Sequence, residues 1–97
     1  MTPEEYLAVP LAFTVEPVEG PDGRWRFRAS YLELVGCSVE SPLLTEAMYQ
    51  LDRRRAAITI DLLARNQVPP CPRPPVPFGI FEAREIIESL GASGGSR

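Results

Sequence analysis

The chain has 97 residues, with ten basic against thirteen acidic side chains, a formal net charge of -3 and no histidine. A length of this kind supports one domain, which buries only about 60–65% of its unfolded surface and so gains from a partner. The charge argues against bulk nucleic-acid binding, which needs excess cation on the binding face, and the missing histidine removes the usual base of Ser-His and Cys-His chemistry. No apolar run approaches the ~20 residues of a membrane span, and the start MTPEEYLAVP lacks a basic leader region, so the expectation is a cytoplasmic protein. Cys37 and Cys71 are too few and too isolated for a disulfide framework or a metal site. The acids are scattered over loops and helix faces. No catalytic residue, metal or cofactor is therefore expected, and a basic protein partner fits the charge better than RNA or DNA.

In chain order, Pro3 to Tyr6 reads as a short helical turn with acids at its positive end. From Leu7 the odd positions Leu7, Val9, Leu11, Phe13 and Val15 are apolar, the period of a strand facing one core, and Pro10 marks its start or an edge. Glu19 to Gly23 is a turn, with glycines free to take positive φ and Pro21 fixing the corner. This predicts a hairpin of Ala12–Val18 with Arg24–Tyr31. On the second strand Trp25, Phe27, Ala29 and Tyr31 form an apolar face, while Arg24, Arg26, Arg28 and Ser30 form a basic and hydroxylated one. The Arg24, Arg26, Arg28 stripe has two readings. It grips RNA or an acidic partner with three charges in about 13 Å, or it is a solvated face whose charges meet Glu16 and Glu40 across the sheet.

Leu34 to Glu40 reads as a third strand in which Cys37 and Val39 point one way and Ser38 and Glu40 the other, with Gly36 as the turning point. Cys37 there is a small buried apolar residue. Ser41 is the expected N-cap and Pro42 a first-turn residue of a long helix running to about Arg65, with Asn66 at its C-terminal end. Leu44, Ala47, Met48, Leu51, Ile58 and Leu62 share one ~100° sector, and Ala56 and Ile60 lie opposite. Arg55 falls inside the apolar sector. Either its stem alone is covered beyond the sheet edge, or it packs on another chain and is paired across the interface.

Residues 69–77 are extended polyproline-like chain, a spacer or an edge segment laid on the domain, with a P-x-x-P spacing as the sharper reading. A short helix follows over 78–91, with Ile80, Ala83, Ile86, Ile87 and Leu90 on one face, docked on its own domain or on a partner chain. Residues 92–97 read as a flexible tail. Residues 1–68 then make one α+β domain, a small antiparallel three-stranded sheet covered by one long helix.

Phe13 and Val15, Asp22-Gly23, Trp25, Ala29, Leu34, Gly36-Cys37, Glu46-Ala47, Pro69-Pro70 and Pro72 follow an order that resembles the HicB antitoxin family over roughly residues 11 to 75. The chain departs from the pattern at Ser41-Pro42-Leu43, where the family usually has Gly and then Thr or Ser, and at an apolar mid-helix position taken by Arg. The resemblance implies a partial RNase-H-like or ferredoxin-like βββα unit without catalytic carboxylates. It also implies a non-enzymatic function, binding and silencing a small basic mRNA-cleaving toxin of the HicA type by covering its active surface. The alternative is an orphan HicB-like subunit that forms homo-oligomers or assemblies with no toxin. HicB proteins usually continue into a DNA-binding domain, but after Pro77 there is room for one short helix, so direct DNA contact is not expected, and RNA contact stays open. A homo-oligomer, dimer or higher, is expected, with Arg24, Arg26, Arg28, Arg55, Ile80 and Ile87 as candidate partner-binding residues.

Overall fold

The computed structural model describes residues 1–76 and 84–90. They form α1 (Pro3–Leu7), β1 (Phe13–Glu19), β2 (Trp25–Tyr31), β3 (Ser38–Ser41) and α2 (Leu44–Ala64), followed by a short helix α3 over 84–90. The strands make one antiparallel sheet in the order β1-β2-β3, so the fold is α+β, as the alternation predicts. The expected residues Ile80 and Ala83, the Pro77 junction and the tail 92–97 lie outside the described residues.

The N-terminal segment departs from the expected strand. Thr2 caps α1, its hydroxyl accepting from Glu5 N while the Glu5 carboxylate accepts from Thr2 N, and Pro3 opens the first turn. This capping box carries helix through Leu7, so the apolar alternation that begins there is not yet strand. Val9 is buried, but as part of a loop on the domain rather than on β1.

The predicted hairpin forms, its register running from Phe13 opposite Tyr31 to Glu19 opposite Trp25. Its turn closes through Gly20 N to Arg24 O at 2.7 Å, and Gly23 takes the positive φ of 78° that a side chain would resist. β3 is shorter than predicted. Leu34 to Cys37 is a compact loop in which Gly36 has φ 80°, and it drops Leu34 and Cys37 into the core before pairing begins at Ser38. The helix also starts later than predicted. Ser41 stays in the sheet opposite Phe27, and its hydroxyl accepts from Leu43 N, so Leu43 occupies the N-cap without a side-chain cap. At the other end Asn66 takes φ 60°, Gln67 N reaches Leu62 O and Asn66 N reaches Leu63 O. That pair of bonds closes the helix in a Schellman motif.

α2 lies over β2 and β3, and no comparable packing joins it to β1. The core beneath it is Ala29, Leu34, Cys37, Ala47 and Leu51, with Leu11, Phe27, Tyr31, Val39, Met48, Ile58 and Leu62 around it. Ala56, expected on the open side of α2, is fully buried, because α1 packs on a second flank of the same helix. The proline segment is laid back on the domain. Pro69 is buried, Val76 N donates to Ala8 O at 3.0 Å, and the Arg73 guanidinium bridges Pro10 O and the Glu33 carboxylate.

Candidate protein-binding surfaces

Period-two alternation gives each strand of the sheet two faces, and they differ in what covers them. On the inner face Ala29 and Val39 lie under α2, while Phe13, Val15 and Pro17 on β1 and Trp25 on β2 extend past it. Trp25 keeps 67% of its surface exposed, Phe13 50% and Val15 37%. The predicted half-buried strand is therefore corrected: the alternation selects the right face, but no described element packs over β1. Phe13 packs edge-on against Tyr31 at 6.0 Å, which joins this bare strip to the covered half.

The outer face is polar and balanced. Arg28 donates to Glu40 at 3.0 Å through two nitrogens and lies 3.3 Å from Glu16, which raises its pKa further above the ordinary arginine value. Ser30 and Ser38 share a hydrogen bond of 2.9 Å. Arg24 stands near Asp22, and the Arg26 side chain runs beside the turn at Gly20. Within the stripe Arg28 is held between Glu16 and Glu40 and Arg24 has Asp22 at 4.0 Å, whereas Arg26 has no carboxylate partner among the described residues.

Every basic residue of the chain is arginine, and three consecutive ones on α2 reach three separate segments. Arg53 donates to Ser89 Oγ on α3 at 2.7 Å and stacks over Tyr49. Arg54 donates to Gly36 O in the β2–β3 loop at 2.9 Å. Arg55 donates to Tyr6 O at 3.0 Å and Val9 O at 2.6 Å, with its guanidinium 5.0 Å from the Tyr31 ring. Arg55 is only 7% exposed, so neither expected placement holds: its head is enclosed, and its partners belong to its own chain. The planar fork suits this, satisfying two carbonyls at the end of α1 while an aromatic face covers it. Arg55 is accordingly withdrawn as a partner-binding residue. Sequence reasoning placed it correctly in the apolar sector but missed the α1 carbonyls, which belong to a segment read as strand.

Asp52, not singled out from the sequence, accepts from the Tyr31 hydroxyl at 2.7 Å. Burial, then the bond to Asp52, push the Tyr31 pKa up to about 12. The Cys37 thiol is also raised, chiefly by burial, which suits an inert core residue. Glu33 is held below the usual carboxylate range by Arg73 and by Ala12 N. Ile87 is half-buried on α3, and that helix docks on its own chain through Arg53 and Ser89. A cleft of about 240 Å³ between α2 and α3 is lined by Tyr49, Arg53, Glu85, Ile86 and Ser89.

Among the described residues no group of three or more His, Cys, Asp or Glu is placed to hold a metal ion, and no helix is long and apolar enough to cross a membrane. Compared with protein-family models, with curated proteins and with solved structures, the chain finds no match.

Proposed function

We propose that the chain is a non-catalytic, cytoplasmic protein-binding module of the HicB-like kind, which silences a small basic mRNA-cleaving protein by covering its active surface. One observation supports a basic partner more than any other. The chain carries thirteen acidic against ten basic side chains, and the acidic side chains of Glu4, Glu19, Glu85 and Glu88 have no partner among the described residues. The net charge of -3 makes the field that reaches a neighbour negative overall, which attracts a cationic protein and steers its approach.

The test is direct. The purified chain, added in stoichiometric amount to a small basic HicA-type ribonuclease, stops RNA cleavage, and the inhibition weakens as salt is raised. Cleavage that continues in the presence of excess chain rejects the reading. The bare strip on β1 and β2 favours a second reading, an orphan homo-oligomeric subunit without a toxin. That reading predicts self-association and no effect on any basic ribonuclease.

A further inference from the structure

We propose that the uncovered inner-face strip formed by Phe13, Val15 and Pro17 of β1 with Trp25 of β2 is a docking surface for a second copy of this chain, packed face to face. The inference goes beyond the basic-partner reading and does not depend on it, since the strip is apolar and the acids lie elsewhere or at its end. Three features select the occupant.

The first is the closure of the sheet edge. Pairing with β2 runs unbroken through Pro17 opposite Phe27, so the proline nitrogen, which has no hydrogen to donate, faces the free edge of β1. Strand addition along that edge lacks a donor in the middle of the strand. A partner therefore approaches the face of the sheet rather than its edge.

Charge is the second. From Phe13 to Pro17 the inner face of β1 carries no charged side chain, and Glu19 stands only at its far end, opposite Trp25. A strongly basic protein finds nothing to pair with on the strip itself. A second copy brings the same uncharged surface, and a two-fold axis near the middle of β1 lays Trp25 of each copy toward the Phe13 end of the other.

The third is area. With an aromatic side chain burying roughly 150–250 Å², the exposed parts of Trp25, Phe13 and Val15 amount to about 300 Å² of apolar surface per copy. Two copies supply about 600 Å² of apolar contact, which with an ordinary polar rim makes about 1,000 Å² in all, the size of a weak, reversible interface. Two sheets stacked on these faces sit ~10 Å apart, the ordinary spacing of a sandwich.

Sedimentation equilibrium of the full chain from micromolar to millimolar concentration tests this. The expected result is a reversible monomer to dimer transition that stops at two. Val15→Arg, which sets like charges face to face near the axis, raises the dissociation constant about tenfold or more. Trp25→Ser does the same without adding charge, which keeps the test open if the arginine variant folds poorly. Val35→Lys, in the exposed loop between β2 and β3 and not part of the strip, leaves the transition unchanged. A wild-type chain that stays monomeric throughout overturns the proposal. So does a dimer that persists in both Val15→Arg and Trp25→Ser, or one broken equally by Val35→Lys.

Discussion

The inner face of the sheet is covered on the β3 side of its central strand and bare on the β1 side. Ala29 and Val39, on the covered side, rest against Leu51 and Ala47 of α2, while Val15, directly opposite Ala29 in the register, is exposed with no described element packed over it. The strand sequences alternate equally well in both halves. What differs is the reach of one helix. An alternating strand therefore states which face is apolar, and only the neighbouring element decides whether that face becomes core or contact surface.

The sharpest way to break the comparison is to truncate on each side. Leu51→Ala, at a fully buried position, is expected to lower the unfolding free energy by about 3–4 kcal/mol in urea titrations. Trp25→Ala, in the open half, is expected to change the stability of dilute monomer by less than about 0.5 kcal/mol. Similar losses at both sites remove the distinction. Arg55→Leu comes next, at about 2–3 kcal/mol, because the Tyr6 and Val9 carbonyls lose their donor and the Tyr31 ring its cation. It is expected to loosen α1 before the sheet, seen as faster amide exchange over residues 3–9.

A smaller effect follows from Tyr31. Its pKa in the fold, about 12, lies above the ordinary value of 10, so the fold binds the phenolic proton more tightly than the unfolded chain does. The contribution is whole below pH 10 and is lost as pH rises through about 12. Tyr31→Phe is expected to flatten that alkaline decline in melting temperature. A decline unchanged in the variant contradicts the assignment. Smallest of all, Arg28→Gln on the polar outer face is expected to leave the melting temperature within error, since Arg28, Glu16 and Glu40 are all well exposed to solvent.

The hairpin and the long helix were legible because each has a local cause: alternation with a Gly- and Pro-bearing turn, and a 3.6-residue period. The end of α2 was legible at Asn66, which tolerates the left-handed conformation. The start was not, since Ser41 is as good a strand terminus as an N-cap, and its pairing with Phe27 is a long-range matter. α1 was seen too short because its capping box overrides an alternation that begins at Leu7. The contact surfaces were least legible. Arg55 stood out as an anomaly in an apolar sector, yet its partners lie 46 and 49 residues away in the chain, and no periodicity encodes them. The openness of Trp25 was equally hidden, because its own strand reads as half-buried and the missing cover is a property of α2.

The account rests on a sheet whose β1 half is exposed in the isolated chain and covered on association. Trp25 is the only tryptophan, so quenching of its fluorescence by acrylamide, followed as the purified chain is concentrated, reports on that half alone. Efficient quenching in dilute protein that falls as the chain associates is the predicted result. A tryptophan already shielded at the lowest concentration, or one that stays fully open while the mass doubles, contradicts it.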